Sequence, residues 1–376
     1  MVISGFIILF LAIHYSIFLV RILTGLFKLE KCDTENLPDE FVTILIPFRN
    51  ESGKILKSLA SIENQDYPKN KFEVIYINDN SDDDSPVKLD SAEKSANIRM
   101  INAVANGGLR GHKKEAIRQG ITEAKGGIIV STDSDCAHKP GWLRKMLNCF
   151  DEETAFVSGP VEFVKGKSIF SNLQRLEFSG LIFTGAGLIG SGTPIICNAA
   201  NLAYRKKVFC EVGGFADNEH LSSGDDEFLM QKIAKTEKYK IKFCAEPEAV
   251  AFTDPNEGVD QFFNQRKRWA SKGLHYQDKV LIFRLVLIFF FYLSLVIQPV
   301  LGFFVSDFYF RTFLISIILK LVFEFLIIFT GSKLMNMKGL IGLFPLAEIL
   351  QVPYIIYSAV SGLFGNYHWR GRKLER

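Results

Sequence analysis

The sequence predicts an α/β domain with a mostly parallel sheet, set between membrane helices. Three observations lead there. Apolar residues are segregated at the two ends: residues 2–20 contain no Lys, Arg, Asp or Glu, and 285–364 is dominated by Phe, Leu and Ile. The segment between has ordinary charge density and alternates β-rich apolar runs with helical patterns. Polar and acidic residues stand directly behind three of those runs, and ligands collect at the carboxyl ends of parallel strands.

The first element, residues 1–27, is apolar apart from His14, Arg21 and small polar residues, and is long enough to cross a bilayer. It lacks the basic start and small-x-small site of a cleaved signal peptide, so a retained transmembrane helix is expected. His14 reads as a helix-packing or interfacial histidine. Arg21, Lys28 and Lys31 follow the span and place the downstream chain on the cytoplasmic side.

The domain is expected over 38–280. Phe41–Ile46 is a strand closed by Pro47. Phe72–Ile77 is a second, followed by Asn78-Asp79-Asn80-Ser81, and Gly127–Val130 a third, followed by Ser131-Thr132-Asp133. Helical patterns near 52–64, 85–96 and 113–125 separate them, as in a sheet covered on both faces.

The C-terminal membrane region is expected over 284–364. Segments 284–305 and 311–331 form an antiparallel hairpin through the short connection Ser306–Phe310. The third, 339–364, contains Pro345, Pro353, Glu348 and Gln351, which predicts a broken or re-entrant segment. A basic tail, 365–376, carries Arg370, Arg372, Lys373 and Arg376. Three full crossings would put it outside, whereas its charge favours the cytoplasm, where it is placed here. The whole is read as a multi-pass protein of a bacterial inner membrane.

A net charge of +3 does not support a nucleic-acid partner. Six cysteines (Cys32, Cys136, Cys149, Cys197, Cys210 and Cys244) show no CxxC pair and no zinc-ligand spacing. They are expected to be small buried hydrophobes in a reducing compartment.

Three constellations could carry chemistry. In Asp133-Ser134-Asp135, residues two apart project the same way from an extended backbone. Both carboxylates can then hold a hard divalent cation with phosphate oxygens; the bland alternative is a solvated acidic turn. Gly224-Asp225-Asp226-Glu227 opens a helical pattern, so its acids either cap the helix or supply a catalytic base. Gln265-Arg266-Lys267-Arg268-Trp269 reads as an interfacial anchor, or as a phosphate-facing arginine beside an indole that can hold a sugar ring.

These segments, with Ile46-Pro47-Phe48-Arg49-Asn50-Glu51 and Asn78-Asp79-Asn80-Ser81, occur in an order that resembles the inverting family 2 glycosyltransferases. That family includes the cellulose, chitin and hyaluronan synthase-like membrane enzymes. The resemblance covers about 41–275 and extends in architecture to the flanking membrane segments. It implies a GT-A fold, with Pro47, Glu51 and Asp79 in the nucleotide pocket and Lys113 or Lys114 binding the donor. Asp133 would face ribose and metal, Asp135 would hold the metal (Mg²⁺ or Mn²⁺), and Asp226 would be the general base. Arg268 would contact the diphosphate and Trp269 the acceptor, with Gln265 part of the same signature. Asn201 matches a stretch near the acceptor, or else is a buried structural amide. Asn78 departs from the family, where a second Asp is common, which loosens the nucleobase contacts.

The donor so implied is a nucleotide sugar, a UDP-sugar foremost, and the acceptor a glycan or lipid at the membrane. The alternatives are transfer of a single sugar to a polyprenyl phosphate or ceramide-like lipid, and a catalytically silent membrane scaffold. Against the scaffold, Asp135 and Asp226 are both present.

Overall fold

A computed structural model describes residues 2–32, 38–104, 112–216, 224–364, 367–369 and 372–374. Gly111, Ser223, Arg370 and Arg376 lie outside them. The chain opens with helix α1 (Val2–Phe27) and enters the domain at β1 (Val42–Phe48), α2 (Ile55–Glu63), β2 (Phe72–Asn78), α3 (Ser85–Ser91) and β3 (Ile98–Asn102). It continues through α4 (His112–Glu123), β4 (Ile128–Ser131), β5 (Ala137–His138), α5 (Trp142–Leu147), β6 (Thr154–Ser158) and β7 (Val161–Phe163). Then come α6 (Ile169–Gly190), β8 (Leu202–Arg205), α7 (Lys206–Glu211), α8 (Glu227–Lys235), β9 (Lys240–Phe243), β10 (Ala251–Thr253) and α9 (Val259–Ser271). Three long helices follow, α10 (Lys279–Phe304), α11 (Phe308–Leu334) and α12 (Phe344–Phe364), and then the hairpin β11 (Tyr367–Trp369) and β12 (Arg372–Leu374).

The main sheet runs β3-β2-β1-β4-β8-β6-β9. The first four strands are parallel, β8 is antiparallel to both neighbours, and β6 and β9 are parallel. β1 and β2 are buried at every residue, as continuous apolar runs must be when helices cover both faces. Pro47 sits one residue from the end of β1, beside Ile77, where the missing N–H costs the ladder least. A second, three-stranded sheet, β5-β10-β7, lies beyond the carboxyl ends of the first.

Among the described residues, four helices are long and apolar enough to cross a membrane: Ile3–Phe27, Lys279–Phe304, Phe308–Leu334 and Ile341–Leu363. Their outward residues, such as Ile3, Phe303 and Phe304, are large, apolar and exposed, as lipid-facing surfaces are. The domain meets them through α6, which the sequence pattern did not reveal. A Cβ on Gly25 of α1 would fall 1.8 Å from the carbonyl oxygen of Gly187 on α6, so only glycine lets the two backbones approach this closely.

The expected break in the third C-terminal segment does not occur. α12 continues through Pro353, and Pro345 occupies its first turn, where no amide partner is needed. Its polar residues have a direct cause. Lys320 on α11 is fully buried and pairs with Glu324 (3.2 Å), with Glu348 of α12, and with Gln351 (2.6 Å). Tyr15 of α1 donates to Glu324 (2.7 Å), as does Tyr292 of α10 (3.3 Å). Further along, Tyr354 donates to Glu177 on α6 (2.5 Å), Tyr357 packs edge-on to Phe263 of α9, and Gly362 abuts Ala270. The second half of α12 therefore lies against the domain.

The cysteine expectation is corrected. Cys32, past the end of α1, forms a disulfide with Cys149, past the end of α5. Sequence spacing could not show this, because 117 residues separate the two. Cys210 is exposed rather than buried.

Candidate active site

The parallel strands deliver their polar ends to one side of the sheet. Past β1 the backbone turns at Asn50, whose φ of 54° is one that Asn tolerates, and buries Glu51, whose amide donates to Ser85 Oγ (2.8 Å). Past β2, the buried Asp79 donates its amide to the Phe48 carbonyl (2.9 Å). Arg49 ties the two ends together, donating to the Asp79 carbonyl (2.9 Å) and to Asp82 (2.6 Å). Pro47, Glu51 and Asp79 thus stand on adjacent strand ends. Asn78 has its own account: its amide donates to Asn102 Oδ1 (2.9 Å) while its oxygen accepts from the Ser81 amide (2.9 Å). An aspartate could not make that first bond.

Past β4, Thr132 is buried and donates to the Ala200 carbonyl (2.7 Å), which anchors the Asp133-Ser134-Asp135 turn. Of the two candidate lysines, Lys113 reaches Asp133 (2.6 Å) and Asp225 (3.6 Å). Burial disfavours its charge, but Asp133 and Asp225 more than compensate and raise its pKa. Lys114 lies over the Phe228 ring, 5.7 Å from its centroid. Burial lowers its pKa to about 8.

Gly224 (φ 84°) turns the chain into α8, and a Cβ there would strike the Phe228 ring. Asp226 follows as the helix N-cap. One of its oxygens accepts from the Glu227 amide (2.8 Å), the other from the Ala199 amide (2.9 Å). The cap reading holds, and the carboxylate is fixed in orientation with lone pairs to spare. Beside it lie residues that sequence reasoning passed over. Lys272 stands 3.9 Å from Asp226 and 3.3 Å from Glu227, and Tyr276 donates to Glu227 (2.9 Å). Burial works against the Lys272 charge, yet Glu227 and Asp226 hold its pKa above the ordinary lysine value. For Asp225, burial opposes ionisation, but Lys113 and Lys114 keep its pKa below the ordinary value.

The Gln265–Trp269 segment lies on α9. Gln265 accepts from Asn256 (2.9 Å). Trp269 stacks on Phe178 of α6 with centroids 5.8 Å apart, and the Arg266 guanidinium lies 4.4 Å from its ring. Arg266, another residue the motif did not single out, is buried and paired with Glu177, the carboxylate that Tyr354 of α12 also meets. Arg268 is close enough to act electrostatically on Lys272. Asn201 resolves to its structural reading: fully buried, it donates to the Pro160 and Ala249 carbonyls (2.7 Å each) and accepts from Trp142 (2.9 Å).

Residues 43–213 match the family model described as glycosyl transferase family 2. The chain carries a family 2 glycosyltransferase domain. It is 24% identical over 250 residues to the poly-beta-1,6-N-acetyl-D-glucosamine synthase of Staphylococcus epidermidis, covering 64% of this chain and 56% of that protein. It is 26% identical over 261 residues to the beta-monoglucosyldiacylglycerol synthase of Trichormus variabilis, covering 64% and 51%. The chain thus spans about half the length of these curated relatives. The mannosyltransferase PcManGT from Pyrobaculum calidifontis, solved with GDP-Man and Mn²⁺, superposes with a TM-score of 0.58 at 19% identity, over 95% of this chain and 98% of that one. The family 2 domain therefore adopts the GT-A glycosyltransferase fold.

Proposed function

We propose that this chain is an inverting, metal-assisted glycosyltransferase that moves a sugar from a nucleotide sugar, a UDP-sugar foremost, to a glycan or lipid acceptor at the membrane. The observation that carries the reading is that Asp226 and Asp133 are brought into one cluster, through Asp225 and Lys113. A carboxylate held by two backbone amides stands one residue from Asp225, and Lys113 bridges Asp225 to Asp133. A base and a diphosphate-handling site on opposite sides of one lysine suit a single in-line displacement.

In that mechanism Pro47, Glu51 and Asp79 line the nucleotide pocket, with Lys113 on the donor phosphates. Asp133 and Asp135 offer hard carboxylate oxygens behind a buried strand, a donor set that fits Mg²⁺ or Mn²⁺. A cation held there would supply charge neutralisation to the leaving diphosphate. Asp226 takes the proton of the acceptor hydroxyl. Arg268 stabilises charge on the departing phosphate, while Gln265 and Trp269 shape the acceptor side. The catalytic domain is assigned to the cytoplasm, where nucleotide sugars are made, in agreement with Arg21, Lys28 and Lys31 beside α1.

A second reading, transfer of one sugar to a lipid, is favoured by a specific observation. The acceptor-side helix α9 packs on α12, itself apolar enough to cross a membrane, through Phe262–Tyr354 and Phe263–Tyr357. The test is release of nucleoside diphosphate from purified full-length protein across UDP- and GDP-sugars with Mn²⁺ and membrane lipid extract. No donor-dependent release from any of them would end the proposal. A ladder of products identifies polymer synthesis, and a single glycolipid identifies the second reading.

A further inference from the structure

Cys244, the residue after β9, is completely buried against the Cys32–Cys149 disulfide, and candidate ligand atoms of the three residues all lie within 4.8 Å of one another. They come from three separate segments: the exit of α1, the end of α5 and the end of β9. We propose that the three thiols, with the disulfide opened, form a binding site for one thiophilic d¹⁰ cation of the zinc class.

Three features fit. An ion with metal–sulfur bonds of about 2.3 Å at tetrahedral angles holds its sulfurs about 3.8 Å apart; the three sulfurs already lie within 4.8 Å of one another, and those of Cys32 and Cys149 must separate by roughly 2 Å once their bond opens. A fourth donor is already aimed at the sulfurs: the Lys145 carbonyl accepts from Cys244 Sγ (3.4 Å) and lies 3.5 Å from the disulfide sulfur of Cys149. Finally, the backbone N–H of Glu246 donates to the Cys244 sulfur, the kind of outer contact that orients a sulfur ligand. A cation is the partner that a buried thiolate lacks.

The two states exclude one another. Opening the Cys32–Cys149 bond takes two electrons and two protons from a dithiol reductant, which becomes a disulfide itself. Cation binding then displaces the three thiol protons to solvent. A domain facing a reducing compartment would favour the open state. In either state the cluster ties the exit of α1 to the back of the catalytic sheet.

The test uses full-length protein in detergent, titrated with Cd²⁺ and read by sulfur-to-metal charge-transfer absorption and by bound metal per chain. Reduced wild type should bind one Cd²⁺ with that absorption. Cys244→Ser should lose at least ten-fold in affinity, and a Cys136→Ser/Cys197→Ser/Cys210→Ser variant should match wild type. Oxidised wild type, with the disulfide verified by thiol alkylation, is the folded control of identical sequence and should show no band. The site is refuted if reduced wild type absorbs no more than Cys244→Ser, or if the band survives oxidation.

Discussion

Two charge clusters, one at the strand ends and one among the apolar helices, are built from the same residue types to opposite ends. At the strand ends Lys113, Lys114 and Lys272 alternate with Asp133, Asp225, Asp226 and Glu227, and Asp133 keeps about a third of its side chain exposed. Between the helices Lys320 faces Glu324, Glu348 and Gln351 with no exposure at all. At its Asp133–Lys113 end water reaches the first, so partners there can be traded for a charged ligand. The second has no route to a new partner, so its charges fix how α1, α10, α11 and α12 meet. Accessibility, more than composition, separates a reactive cluster from a structural one.

The largest expected break in this contrast comes from Asp226→Asn. The amide oxygen can keep the Glu227 cap bond, so the helix start survives while the Ala199 bond is lost, and the proton acceptor is gone. Transfer should fall by about 10²–10⁴-fold while donor affinity, measured by calorimetry, stays within about two-fold. Transfer near the wild-type rate would remove Asp226 as the base.

In the helix cluster, Lys320→Met should leave turnover chemistry untouched and strike stability instead. Two buried carboxylates lose their shared cation, a loss of about 3–5 kcal/mol, read as a fall in thermal midpoint in detergent. Adding Glu324→Gln and Glu348→Gln should recover most of it. If Lys320→Met melts like wild type, the cluster does not hold the helices together.

A smaller effect sharpens the strand-end half. Lys272 touches both Asp226 and Glu227, so it is a positioning residue for the base. Lys272→Met should lower kcat about ten-fold through misplacement of the carboxylates it holds, with KM for donor unchanged. Lys272→Arg should restore most of the rate with KM for donor unchanged. A loss that arginine does not rescue, with KM for donor rising alongside, would mark Lys272 as merely structural.

The sequence revealed those features that depend on local pattern. β1, β2 and β4 were legible as apolar runs, and the acids behind them as strand-end groups, because both follow from a sheet buried on two faces. Asp226 was legible as a cap, but not the contact that fixes its second oxygen, since that amide comes from Ala199, distant in sequence. Lys272, Arg266 and the Cys32–Cys149 bond were invisible for the same reason: each acquires its meaning from a partner on another element. α12 was misjudged because its prolines and polar residues read as a break. The true cause of Glu348 and Gln351, a lysine on α11, lies 28 and 31 residues away.

The smallest effect separates the two lysines of one helix turn. Lys113 gains from its acidic partners, whereas burial lowers Lys114 to about 8 from an ordinary 10.5. Above pH 8 the folded chain therefore holds fewer protons at Lys114 than the unfolded chain does. Stability must then rise with pH from about 8 towards 10.5, by up to about 1.4 kcal/mol per pH unit. The sign is opposite to that of a lysine in a favourable salt bridge, whose contribution fades as pH climbs. Comparing denaturant midpoints of wild type and Lys114→Gln between pH 8 and 9.5 isolates the effect. The difference should move in favour of wild type as pH increases, and a flat difference would mean that Lys114 stays charged beneath Phe228.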